Sequence, residues 1–135
     1  YLNRRTKRTE TMFGEAGQLY VYLIYGMYYM LNIVANKPEV PEAVLIRAVE
    51  PLDEEGKTNG PGKLCRALGI NSSHNGLDLC KSSFFYIEDD YYQSQSIISA
   101  PRINIDYAEE DIMRLWRFYL DESQYVSKKI TKNDE

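Results

Sequence analysis

The stretch from Gly17 to Asn36, GQLYVYLIYGMYYMLNIVAN, constrains the fold of this chain more than any other. No charge interrupts it between Glu15 and Lys37, and it holds five tyrosines, at positions 20, 22, 25, 28 and 29. At period two, Leu19, Val21, Leu23 and Tyr25 point one way, while Tyr20, Tyr22 and Ile24 point the other. β-branched and aromatic residues dominate, which suits a pleated, half-buried surface. Tyr25-Gly26 breaks the run, and a second apolar run, Met27 to Val34, follows at once. The pattern predicts a β-hairpin with Gly26 supplying the turn and Tyr25 at the tip. A bulky ring at a hairpin tip, where solvent should be, is poised to pack on something flat. The run is nearly long enough for a membrane helix. Against that stand two glycines, Gln18, Asn32 and tyrosines through the middle rather than at the ends, where membranes place them. Ordinary packing accounts for Tyr20, Tyr28 and Tyr29.

A chain of 135 residues is enough for one domain with a genuine core, and a single domain over residues 1–135 is expected. The net charge of −4 does not announce a nucleic-acid binder. Its distribution says more. Up to Val34, Arg4, Arg5, Lys7 and Arg8 face only Glu10 and Glu15, so the acidic excess lies wholly in the later part. A basic entry beside an aromatic hairpin can attract phosphates locally, although a solvated strand end would look the same. Cys65, Cys80 and His74 show no metal-ligand spacing, so neither a metal nor a cofactor is expected. Reduced thiols and an intracellular location are the expectation; no signal peptide is visible. The chain starts at Tyr1 rather than methionine, which we read as a portion removed, cleaved or left out upstream.

Along the chain, residues 1–10 read as basic surface and Thr11 to Gly17 as a turn region. Lys37 to Pro41 is a loop, and Ala43 to Val49 a short strand with Arg47 in its middle. A lone arginine in an apolar run either snorkels or points into a polar cleft. The TNGPGK stretch is not a phosphate loop: the glycine separation is wrong, and Leu64 stands where a hydroxyl is required. Gly62 to Gly69 predicts a short amphipathic helix closed by glycine, with Leu64, Cys65 and Leu68 inward. Strands are expected at Phe84–Glu88, Arg102–Asp106 and Trp116–Leu120, and a helical turn at Ala108–Arg114. Tyr91 to Ser99 is polar and carries no clear pattern. The sum is a compact α+β or mostly antiparallel domain.

Five segments in order, TMFGEAGQLYVYLIYGMYYMLN, AVLIRAVEP, TNGPGKLCRALGI, PRINI and WRFYL, together resemble the alkyladenine (3-methyladenine) DNA glycosylases. The resemblance implies a monomeric, metal-free repair enzyme. Such an enzyme flips a damaged purine (3-methyladenine, ethenoadenine or hypoxanthine) out of double-stranded DNA and hydrolyses its N-glycosidic bond. It also implies a single α+β domain with a curved, mostly antiparallel sheet, few short helices and a protruding DNA-intercalating hairpin. Residue by residue, Tyr25 matches the intercalating tyrosine and Met27 the companion that contacts the base stack. Tyr22 matches a ring that stacks on the flipped base, and Asn32 an amide that meets the purine edge where guanine carries its 2-amino group. Arg47 matches the active-site arginine that holds a phosphate and the attacking water. Arg8 and Lys63 fall in regions that contact the DNA backbone.

The catalytic carboxylate, a stacking tyrosine and a base-contacting histidine of the family are expected upstream of Tyr1, and His74 does not replace the histidine. The loop at Asp53–Lys57 is shorter than the family pattern. One alternative is therefore a catalytically dead fragment or paralogue that binds damaged DNA, retaining Tyr25 and the basic entry without a carboxylate. Another comes from the similar sheets of formyltransferase C-terminal domains, which offer no reason for Tyr22, Tyr25, Asn32 and Arg47 together.

Overall fold

A computed structural model describes residues 4–53 and 56–130. The chain divides into two compact units, with the change between Asp89 and Asp90. The first unit opens with a 3-10 turn at Glu10–Phe13, where only a turn region is expected from sequence. Strands β1 (Leu19–Ile24), β2 (Tyr28–Val34) and β3 (Ala43–Leu45) follow and form an antiparallel sheet in that order. Helix α1 (Pro61–Leu68) and a 3-10 turn at Ser72–His74 complete the unit.

The hairpin forms where the alternation places it, with Leu19 opposite Ile33, Val21 opposite Leu31 and Ile24 opposite Tyr28. At its tip Tyr25 and Gly26 both take the left-handed conformation, at φ 52° and 66°. The Met27 N–H donates to the Ile24 carbonyl at 3.1 Å, closing the turn. Two successive positive φ values give a turn whose twist matches that of the flanking strands.

Odd-numbered hairpin residues make the core. Leu19, Val21 and Leu31 pack with Leu64 and Cys65 of α1 and with Ile70 and Leu79. Leu64 is wholly buried, and burying such a side chain stabilises a fold by about 1.5–3 kcal/mol. Helix α1 starts at Pro61, one residue ahead of the predicted start, because proline is pre-set for the first helical position. It ends as expected at Gly69, left-handed at φ 68°, whose N–H returns to the Arg66 carbonyl at 3.3 Å.

The outer edge of β1 is covered by its own chain. Leu19 donates its N–H to the Leu77 carbonyl (2.8 Å) and accepts from the Gly76 N–H (2.7 Å). The Val21 N–H donates to Asn75 Oδ1 at 3.0 Å, and the Arg8 guanidinium donates to the Leu23 carbonyl at 3.1 Å.

Several sequence expectations change. Strand β3 stops at Leu45 instead of Val49, because the chain leaves β2 to meet another segment. Val49 donates its N–H to the Thr58 carbonyl (3.2 Å), and buried Thr58 returns its hydroxyl to the Val49 carbonyl (2.7 Å). Phe84–Glu88 is not a strand: Ser82 Oγ accepts from the N–H groups of both Phe84 and Phe85 and bends the chain there. In the second unit Arg102–Asp106 is not a strand either. Asn104 is left-handed at φ 56°, and a 3-10 segment begins at Asp106 and runs to Asp111. Strands β4 (Ile97–Ala100) and β5 (Arg117–Leu120) form a second, two-stranded antiparallel sheet with Ile98 opposite Tyr119. Strand β4 begins within the stretch that carries no pattern in the sequence and ends one residue beyond it. The fold class is α+β, with antiparallel strands in two small sheets and a few short helices.

Candidate functional site

The even-numbered face of the hairpin lies opposite helix α1, is buried at Tyr20, Met30, Asn32 and Val34, and carries Tyr22 and Asn32 of the singled-out residues. Antiparallel partners share a face, so two rows cross the sheet. In one, Tyr20 stands beside Asn32 and Asn32 beside Leu45. In the other, Tyr22 stands beside Met30. The Ile46 N–H still donates to the Leu31 carbonyl at 2.9 Å, so the β2–β3 register outlasts the strand. Arg47 lies two residues past the last paired residue of β3, so the paired register groups Tyr22 and Asn32 on one face and does not include Arg47.

Within this face the Tyr20 and Tyr22 rings lie 5.1 Å apart at 40°. Tyr20 is buried, which agrees with the plain packing reading of that ring. Burial pushes its hydroxyl pKa up, Tyr22 adds to the rise and Arg8 opposes it. The Arg8 guanidinium stands 5.0 Å from the centroid of the Tyr22 ring while it also holds the Leu23 carbonyl. The guanidinium over the Tyr22 ring shows a face whose electrons attract a cation. Asn32 is 6 % exposed, and its Nδ2 donates to the Tyr20 carbonyl at 3.3 Å. A buried amide inside an apolar strand is costly unless its polar atoms are met.

Tyr25 stands on the tip, 85 % exposed, with Met27 beside it at 60 %. The basic entry is pinned at Arg5, which donates to both carboxylate oxygens of Glu10 (2.8 and 2.6 Å) and to Glu39, and lies over Phe13. Its hydrogen bonds hold the Glu10 carboxyl below the usual range. Lys63 belongs to another surface. It is exposed in the first turn of α1, in a cleft of about 370 Å³ with Gly56, Lys57, Arg66 and Ala67. Arg66 escapes the sequence reading; its place on the outer side of a helix whose inner side is Leu64 and Cys65 is the signal that could have found it.

Such a surface, with an aromatic tip and an aromatic, amide-bearing face beside it, has the parts needed to part a base stack and hold a planar ring. A family model described as methylpurine-DNA glycosylase (MPG) matches residues 1–124. The chain belongs to the methylpurine-DNA glycosylase family. It is 47% identical over 150 residues to a protein of Clostridium novyi (strain NT), covering 96% of this chain and 74% of that one. It is 45% identical over 150 residues to one of Desulfitobacterium hafniense (strain Y51), covering 96% and 73%, and 48% identical over 153 residues to one of Bacillus thuringiensis (strain Al Hakam), covering 96% and 74%. All three bear the name "Putative 3-methyladenine DNA glycosylase". An alignment of 150 positions against a chain of 135 leaves at least 15 positions of the Clostridium protein without a counterpart. The loop read as short from sequence, Asp53–Lys57, includes residues 54 and 55, which lie outside the described residues. Membership in a methylpurine-DNA glycosylase family brings a DNA-glycosylase-type hydrolase function and a role in base excision repair. Among the described residues no helix is long and apolar enough to cross a membrane.

Proposed function

We propose that this chain removes alkylated or deaminated purines, such as 3-methyladenine, ethenoadenine and hypoxanthine, from double-stranded DNA, acting as a monomer inside the cell. The observation that carries this reading is the 85 % exposed Tyr25 on a closed turn, one residue past the end of the strand that holds Tyr22 and within the family's sequence frame. Tyr25 enters the base stack where the damaged nucleotide leaves it. Extrusion costs a few kcal/mol of stacking, and a ring in the vacated slot offsets part of that. Met27 contacts the neighbouring stacked base. Tyr22 stacks on the extruded purine; an alkylated, often cationic base attracts an electron-rich ring. Asn32 meets the purine edge at the position of guanine's 2-amino group and so bears on the rejection of normal guanine. Arg47 holds the phosphate and the attacking water, while Arg8 and Lys63 take backbone phosphates.

Hydrolysis of the N-glycosidic bond passes through an oxocarbenium-like sugar, and a carboxylate must activate the water and stabilise that charge. The family pattern puts this carboxylate upstream of Tyr1. A single-turnover assay on duplexes with hypoxanthine or ethenoadenine, with spontaneous loss subtracted, tests the assignment. Base release is expected from the chain extended upstream, and lesion binding without release from residues 1–135 alone. Failure of the extended chain to release any damaged purine refutes the proposed activity. Release by the short chain refutes the upstream assignment and points to Glu50, the carboxylate three residues past Arg47, with Glu50→Gln as the next variant.

A further inference from the structure

Helix α1 carries cations on the other side of the sheet from Tyr22 and Asn32. Its Leu64 and Cys65 pack on Leu19, Val21 and Leu31, which fixes the helix to the odd-numbered face. Two clefts open along it. One, of about 300 Å³, runs from Met27 and Tyr28 at the hairpin tip to Gly62, Arg66 and Asn71. The other, of about 370 Å³, holds Lys57, Lys63 and Arg66. Arg66 borders both, so the two are neighbours and make one track from the hairpin tip along the helix. Among the described residues lining the two clefts none is acidic; Glu54 and Glu55, which precede Gly56, lie outside the described residues. Gly62 keeps the track close to the tip: a Cβ there would stand 3.1 Å from the Tyr28 ring.

A wedge at Tyr25 parts the two strands of a duplex across the hairpin. The strand that surrenders its base turns toward Tyr22 and Asn32. Its complement then has to pass on the other side of the tip, beside Met27 and α1. We propose that the track formed by Lys57, Lys63 and Arg66 holds the phosphates of this undamaged strand, with the Arg66 guanidinium offering the paired donors that suit a phosphodiester. The inference rests on the intercalating reading of the hairpin and adds a partner strand to it. It also gives a reason for preferring duplex over single-stranded lesions, since only a duplex presents a second strand.

The test uses Arg66→Ala and Lys57→Ala, both at exposed positions, singly and together, with thermal melts to confirm an unchanged fold. Affinity is measured for one lesion in a duplex and in the same single strand over a range of salt. The double variant is expected to lose about tenfold or more on duplex, with a salt slope smaller by about 0.9 for each phosphate contact removed, and to keep its single-strand affinity. Methylphosphonates in the undamaged strand should weaken the wild-type complex more than the double variant, in which Lys63 alone remains to hold that strand. Equal losses on single strand and duplex, unchanged duplex binding, or sensitivity to methylphosphonates only in the lesion strand would each overturn the assignment. Failure of the underlying hairpin reading shows separately, as a Tyr25→Ala variant that binds lesion duplex like the wild type.

Discussion

Replacing Tyr25 by asparagine separates what the hairpin tip does for folding from what it does on DNA. Tyr25 is left-handed at φ 52°, a conformation that costs a non-glycine residue about 1–2 kcal/mol and that asparagine tolerates better. The ring contributes little in return. A tyrosine buries about 150–250 Å² when fully covered. At 85 % exposed, the Tyr25 ring therefore hides no more than roughly 40 Å², equivalent to about 1 kcal/mol at 25 cal/mol per Å². The two effects oppose, and an Asn-Gly pair is a favoured sequence for this turn. Stability measured by urea unfolding should stay within about 1 kcal/mol of wild type, and the shift should be upward if turn strain dominates. Binding of lesion duplex should fall by about 1–3 kcal/mol, the usual worth of one aromatic–base stack, or roughly 5- to 150-fold. Undamaged duplex should lose less. If Tyr25→Asn destabilised the fold by 2 kcal/mol or more, in the sense of roughly one lost core contact, and left the lesion complex intact, the ring would be a structural residue and the intercalation argument would be wrong.

Asn32→Ser shortens a buried amide, and the ratio of guanine-type to adenine-type excision by the upstream-extended chain should change. A site discriminates by the polar groups it leaves unpaired, and an unchanged ratio on matched substrates would remove Asn32 from the specificity argument. Buried Cys65 and exposed Cys80 should differ in reaction with a thiol reagent near pH 8, Cys80 labelling at once and Cys65 only at the rate of opening. Burial pushes the Cys65 thiol up to about 11 from an ordinary 9.0, and a hydrogen bond with the Leu31 backbone opposes the rise only in part. The folded chain thus keeps a proton that the unfolded chain loses, and the stability from this group is full below pH 9 and falls as pH rises toward 11. A Cys65→Ala variant with the same alkaline slope as wild type would disprove that origin.

The parts readable from sequence are those where local chemistry and tertiary packing agree. The alternation around Tyr20–Ile24 and Tyr28–Val34, the Tyr25-Gly26 break and the helix closed by Gly69 all carry their own signals, and each stands where those signals place it, the helix start within one residue. Errors arise where a partner decides. Phe84–Glu88 looks like a strand by composition, yet a serine hydroxyl takes two of its backbone donors. Ile97–Ala100 is mixed in character and becomes a strand only because Arg117–Leu120 pairs with it. The grouping of Tyr22 with Asn32 depends on a strand register that no single segment encodes. Arg66 carries no signal until the opposite side of its helix is seen to be core.

The covered rim of β1 limits how this molecule can meet another. A backbone that tried to line up beside Leu19–Leu23 would have to displace the carbonyl of Leu77, the amide of Gly76, the side chain of Asn75 and the guanidinium of Arg8. Fibre growth by edge-to-edge addition and capture of an extended peptide are both discouraged there. What this side of the hairpin offers a visitor is its side chains, so its recognition is written in rings, amides and cations that evolution can exchange one at a time without unpicking the sheet beneath them.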